Sequence, residues 1–227
     1  DQSNGAVYSR LWELFHRTMN DAKKAEWIFF HLHCKTVGYH NDMYPPSAQG
    51  QAREVPVQDQ VDEYEVIGPD GYGYPIYALK QNHKALYGSL ISEQDMAKAY
   101  DDGNPYVNRD PRFYRDIIYH GSMFKGKWIN TATGADAINA ANSTSTGYFT
   151  RKYFDGYYTK GMSGNWNFDA PLIRLATIYL VYAEAVTRSK GATPEVYNLM
   201  NELRARSFMA PIPPAAQTNK ELLLDYI

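Results

Sequence analysis

Cysteine is nearly missing from this chain: Cys34 stands alone among 227 residues. That excludes an internal disulfide and any zinc site built on cysteines. It fits a cytosolic protein, and equally an exported one that does without disulfides. A surplus of either charge is missing too. Lys and Arg total 23 against 25 Asp and Glu, for a formal net charge of −2. The signs are well mixed, so the chain shows neither an electrostatic footprint for nucleic acid nor a basic face for an anionic membrane. No apolar run is long enough to span a bilayer as a helix. No Gly-x-Ser-x-Gly turn, phosphate loop or dinucleotide fingerprint occurs.

Apolar side chains are plentiful at 44%, enough for a sizeable core in one large or two small domains. The unusual count is 20 tyrosines, beside nine phenylalanines and four tryptophans. A tyrosine buries a ring and keeps a hydroxyl for water or a ligand, so the surplus suits partly wet binding surfaces. At the C-terminus "NKELLLDYI" opens a helix and then stops without a capping residue. We read the chain as a piece of a longer one, so the lack of a signal peptide or an early lipid-attachment cysteine carries no information.

Periodicity predicts a helix over 8–22, with Leu11, Leu14, Phe15 and Thr18 on one stripe. "AEWIFFHLHC", 25–34, reads as a buried strand. Residues 38–73 are loop-rich, broken by Pro45, Pro46, Gly50, Pro56, Gly68, Pro69 and Gly71, with one short helix within 55–65. A helix is expected over 93–102. Residues 112–130 read as a strand and hairpin turning at Gly121 and Gly126. Residues 131–146, rich in Ala, Asn, Ser and Thr, read as a mobile excursion, and strand character resumes over 147–158.

The last third carries the strongest signals. Asp169 as N-cap and Pro171 in the first turn predict a helix over 171–186, apolar on two stripes and therefore buried on both faces. Gly191 stops it. Thr193 and Pro194 open a second helix that repeats Val196, Leu199, Met200 and Leu203. So short a connection forces an antiparallel helical hairpin of tetratricopeptide type, although no repeat period of about 34 residues is visible.

"PLIRLATIYLVYAEAV" followed by a helix containing "NELRARS" closely resembles the C-terminal part of SusD/RagB-family proteins, which typically read PLIRLAEIYLNYAEA before a VRARA-like helix. Four further stretches match in order: "KKAEWIFFHLH", "VPVQDQVDEYE", "NRDPRFYRDIIYHG" and "TGYFTRKYFD". Thr177 and Val181 depart from the family's Glu and Asn, and its terminal E-R-x-R-E-L helix and N-terminal half are not in this chain. The resemblance implies a single SusD-like region over 1–227, with a loop-rich ligand face at 35–168 and a helical hairpin at 169–208. The fold it implies is mainly α, with short strands, long loops and an irregular C-terminal subdomain. It further implies a non-catalytic, lipid-anchored protein on the outer face of the outer membrane of Bacteroidetes, whose anchor lies outside this chain. Such a protein takes up an oligosaccharide or other nutrient with no cofactor and no metal, and delivers it to a SusC-like TonB-dependent transporter. Within the long helix, Tyr179, Tyr182, Arg174 and Glu184 are then expected to be structural, packed between repeat helices and the subdomain.

A sugar site needs an aromatic plate against the apolar face of a pyranose, flanked by amides or charges for its hydroxyls. Loop aromatics are the candidates: Tyr39, Tyr44, Tyr72, Tyr74, Trp128 and Trp166, each tryptophan having an adjacent Asn or Lys. His31 and His33 share a strand face but have no third ligand nearby. The acidic group around Asp101 and Asp110 lacks the spacing of a calcium loop and reads as turn chemistry. Two other classes compete. A glycoside hydrolase requires two carboxylates facing each other across an aromatic cleft at roughly 5–10 Å. A helical-repeat interaction scaffold would present a flat apolar patch instead of an aromatic groove.

Overall fold

The structure, a computed structural model, describes residues 25–35, 42–76, 88, 90–152 and 167–227. The expected helix at 8–22 and the strand beyond Lys152 lie outside them. The chain divides into two compact units, each assembled from two segments: 1–61 with 113–172, and 62–112 with 173–227. Helix outweighs strand among the described residues, and the strands occur in two-stranded pairs.

In the first unit β1 (Trp27–Lys35) pairs with β8 (Asn167–Arg174). The expected strand at 25–34 is present but is not buried throughout. Trp27 is buried, whereas Ile28 and Phe29, on opposite faces of the ribbon, are both exposed. β8 also corrects the start of the long helix, because Pro171 lies in a strand, not in a first helical turn. Local cap signals lost here to pairing with a distant segment. A two-stranded sheet has only edge strands, so a residue without an N–H is tolerated.

The core of this unit gathers Met43, Tyr44, Ala52, Ile118, Phe124, Ile129 and Phe149. Short α1 (Gln58–Asp62) follows the Pro-rich loop as expected. Residues expected to be extended from 112 instead form α3 (Pro111–Asp116), whose first turn is held by Asp110 Oδ1 accepting the Arg112 amide at 2.7 Å. Strand β4 (Ile117–Ile118) follows at once and pairs antiparallel with β7 (Phe149–Thr150). Between them, β5 (Met123–Phe124) and β6 (Lys127–Trp128) form the expected hairpin.

In the second unit β2 (Val66–Ile67) pairs with β3 (Gly73–Tyr74). Helix α2 (Glu93–Ala99) is capped by Ser92, which accepts the Asp95 amide. The helical hairpin is α4 (Leu175–Lys190) and α5 (Pro194–Arg206), followed by α6 (Lys220–Tyr226). Gly191, at φ 82°, ends α4 in a conformation that suits glycine, and Pro194 opens α5 after Thr193, as expected. Ala183 and Val186 of α4, Val196 and Met200 of α5, and Leu222, Leu223 and Tyr226 of α6 share one core. The small Ala183 lets the partner helices approach closely. This is one hairpin with a following helix, and the described residues do not establish a tetratricopeptide series.

The expectation that α4 is buried on both faces fails. Ile178, Val181 and Tyr182 are exposed, with Val181 at 62%. Tyr182 and Glu184 act at the surface. The Tyr182 hydroxyl donates to Glu195 on α5, and Arg188 pairs with Glu184 one turn away at 2.7 Å. A buried ion pair ties the unit together instead. Arg204 Nη1 and Nη2 donate to Glu65 Oε1 and Oε2 at 2.5 and 2.8 Å, its Nε donates to Ala210 O at 2.7 Å, and its guanidinium lies 5.3 Å above the Tyr226 ring. The Tyr226 hydroxyl donates to Gly73 O at 2.9 Å.

Candidate functional site

The turn of the β5–β6 hairpin is Lys125-Gly126, with φ of 48° and 74°. Two positive φ angles give the mirror-image turn whose twist matches a tight hairpin. The register pairs Met123 with Trp128 and Phe124 with Lys127. Side chains alternate across a strand, so the two pairs face opposite ways. Phe124 is buried and meets the edge of Tyr44 at 5.1 Å between ring centroids. On its side of the hairpin, Lys127 Nζ donates to Ser47 O at 2.7 Å, and Lys125 Nζ sits 4.7 Å from the Tyr44 ring centroid. The opposite face presents Met123 and Trp128, and Trp128 is 68% exposed. The hairpin is thus pinned on one side and displays an indole on the other.

From Trp128 the chain runs directly into residues 131–146. These are not the loose excursion their composition predicts. Asn130 Oδ1 accepts the Ala132 and Thr133 amides at 2.9 and 3.0 Å. Thr144 is fully buried, and its Oγ1 accepts the Thr146 and Gly147 amides, each at 3.0 Å. Buried Asp136 accepts the Ser47 amide at 2.8 Å, and Thr146 Oγ1 donates to Pro56 O at 2.6 Å. The Thr131 amide donates to His120 Nδ1 at 3.1 Å; a backbone N–H only donates, so that ring nitrogen is the unprotonated one. The result is a fixed ledge whose outer surface carries the amides and hydroxyls of Asn130, Thr133, Asn139, Asn142 and Ser145.

The other predicted site residues fare differently. Tyr39 and Trp166 lie outside the described residues. Tyr44, at 2% exposure, and Tyr74, at 1%, are core residues without an open ring face. Tyr74 donates its hydroxyl to Asp70 Oδ2 at 2.6 Å; burial and then that carboxylate push its phenol pKa up. Tyr72 is half-buried in the second unit, beside Tyr74 and Met96. Of the six, Trp128 alone is described with an open ring. The sequence reading missed the anchors Thr144 and Asp136. The Asn130-x-x-Thr133 and Thr144-x-Thr146 spacings, typical of side-chain-capped turns, were the available signal.

Among the described residues no group of three or more His, Cys, Asp or Glu side chains converges to hold a metal ion. A cavity of about 270 Å³ in the second unit is lined by Glu65, Arg112, Arg204 and Tyr226 among others. Two of its arginines are held in ion pairs, Arg204 by Glu65 and Arg112 by Asp110.

Residues 25–227 match the SusD family. The chain belongs to that family. SusD-family carbohydrate-binding proteins are non-catalytic. Solved relatives share the fold of this SusD-family chain. A SusD-like carbohydrate-binding protein from Bacteroides fragilis matches at 20% identity and TM-score 0.62, over 88% of this chain and 37% of its own. A second SusD-like protein from the same organism matches at 23% identity and TM-score 0.57, over 95% of this chain and 41% of its own. The chain therefore spans about two-fifths of the length of these relatives. No curated protein matches it in sequence. No helix among the described residues is long and apolar enough to cross a membrane.

Proposed function

We propose that this chain forms part of a surface protein that captures an oligosaccharide, with Trp128 as the stacking plate and the 131–146 ledge as the source of hydroxyl partners. The observation that carries this reading is the pinned hairpin. A pyranose gains from stacking on an indole only what is left after both partners are ordered. Here the indole's strand is already fixed by Phe124, Lys127 and the Lys125-Gly126 turn. Tyr72, in the other unit, is a separate candidate, and Tyr39 and Trp166 stay on the list of aromatics to substitute.

Family membership supports the setting: a lipid-anchored protein on the outer face of the outer membrane, handing its ligand to a SusC-like TonB-dependent transporter. The α4–α5 hairpin is of the kind that tetratricopeptide scaffolds stack, and we assign it a supporting role away from the ligand. Calorimetry or a glycan array on the full chain tests the reading with Trp128→Ala. Stacking contributes about 1 kcal/mol, so affinity for the bound glycan falls roughly fivefold while the melting curve stays in place, because the ring is exposed. Unchanged affinity removes Trp128 from the site.

A further inference from the structure

Ile129 belongs to the core that holds Phe124 and Tyr44, with 1% of its surface exposed. The chain stays extended past Trp128, since Ile129 donates its amide to Ser122 O at 2.9 Å and accepts the Gly121 amide at 2.8 Å. Side chains alternate along such a segment, so Trp128 and Asn130, on either side of Ile129, share the outward face. Two residues of strand set the indole and the Asn130 side chain about 7 Å apart, a spacing that a sugar ring and one of its substituents cover. Across the ribbon, a Cβ added to Gly121 would meet nothing within 4 Å, so that side is open. Met123, Trp128 and Asn130 are neutral, while Lys127 turns to the opposite face to reach Ser47 O.

The Asn130 amide is oriented by its partners. Oδ1 accepts the Ala132 and Thr133 amides, and Nδ2 donates to Thr133 Oγ1 at 2.9 Å. One hydrogen of Nδ2 is left over. Thr133 Oγ1 is the acceptor in that bond, which leaves its own hydrogen to donate. Both side chains are exposed. To a ligand the pair therefore offers two donors, while its best acceptor, Oδ1, is already taken by two backbone amides. A carbonyl oxygen has two lone pairs and no hydrogen, so it takes both donors and brings none that needs an acceptor. A sugar hydroxyl brings a hydrogen that this pair does not accommodate. The turn already holds both side chains, so little freedom remains to be lost on binding.

Resting on the oligosaccharide reading above, we propose that Asn130 and Thr133 select an acetylated oligosaccharide, the sugar ring stacking on Trp128 and its acetyl carbonyl accepting from Asn130 Nδ2 and Thr133 Oγ1. An N-acetyl amide and an O-acetyl ester present the same carbonyl, and the experiment separates them. Calorimetry on the full chain uses two matched pairs: N-acetylated chitotriose against cellotriose, and acetylated against deacetylated xylo-oligosaccharide. The expected result is that the acetylated member of one pair binds about fivefold tighter or more, the gain of one or two hydrogen bonds. Asn130→Asp keeps an acceptor for the two turn amides and replaces the donor with a carboxylate oxygen. It should leave the melting curve in place and close most of that gap. Thr133→Val narrows the gap about threefold, and Thr133→Ser, which keeps the hydroxyl, restores it.

If Asn130 served the turn alone, aspartate would serve as well and the acetyl preference would survive. That outcome, or equal or absent binding of both members in both pairs, overturns the inference and leaves the oligosaccharide reading standing. If Trp128→Ala changes binding of no glycan on an array, that underlying reading fails as well.

Discussion

Replacing Glu65 with Ala strands the Arg204 guanidinium in the second unit. Both partners are buried, with side-chain exposures of 5% for Arg204 and 10% for Glu65. The two oxygens of Glu65 accept both terminal nitrogens of Arg204, which leaves the Ala210 carbonyl and the Tyr226 ring as its other described contacts. Removing one member of a buried pair costs about 3–5 kcal/mol, because the survivor keeps its desolvation penalty without its counter-charge. Glu65→Ala and Arg204→Ala should each fall in that range. Replacing both with methionine fills a similar volume and removes both charges, so the double variant should lie within about 1 kcal/mol of the parent. Gly73→Ala reaches the same pair by another route. A Cβ there would run into Glu65 Oε2 and come within 2.6 Å of the Met209 methyl, so it should cost as much as losing Glu65. Urea unfolding followed by far-ultraviolet circular dichroism measures all four. A Glu65→Ala cost below about 1 kcal/mol, or a double variant no better than the worse single one, refutes the argument that this pair is a desolvated lock.

Three further outcomes follow from local geometry. Phe208 sits at φ 59° just past the end of α5, where its amide donates to Ala205 O; a side chain in that region costs about 1 kcal/mol, so Phe208→Gly should raise the melting temperature by a few degrees. Thr144→Val removes the acceptor of two turn amides from a fully buried site, and should cost about 1–3 kcal/mol and open 131–146 to limited proteolysis. Burial, then the Asp102 carboxylate, push the Tyr100 phenol from 10.0 up to about 12, and Tyr74 shifts the same way. A raised phenol pKa favours the neutral form in the folded state, so its contribution is complete below pH 10 and is lost as pH climbs through 12. Tyrosinate absorbance should therefore lag behind that of the denatured chain over this interval.

What was legible in the sequence was what neighbouring residues determine. Thr193-Pro194 opened α5, Gly191 closed α4, and Asn219 opens α6 by accepting the Glu221 and Leu222 amides. The Lys125-Gly126 hairpin followed from a glycine between strand-forming residues. The misses were decided by distant partners. Asp169 and Pro171 read as a helix start, yet the segment pairs with β1, more than a hundred residues earlier. The ledge looked loose because its residues are polar, while its anchors, Ser47 and Pro56, lie about ninety residues away. Phe113 and Tyr114 favoured a strand, and Asp110 with Pro111 turned the segment into a helix. Tyr44 and Tyr74 sit in loops broken by Pro and Gly, but each packs into a core. Composition marks an aromatic; the tertiary contacts decide whether its ring is open.

The split of both units into separated segments governs the order in which the chain can become native as it is made. In chain order, segment 113–172 of the first unit lies between the two segments of the second, 62–112 and 173–227. Segment 62–112 must therefore wait while some sixty intervening residues are synthesised, with Glu65 lacking the arginine that will neutralise it. Bringing these two side chains together closes a span of 139 residues, which costs about 2 kcal/mol more than a ten-residue closure. The helical hairpin is the late piece: a ribosome that stalls before it leaves an orphaned strip, 62–112, without the helix that carries Arg204.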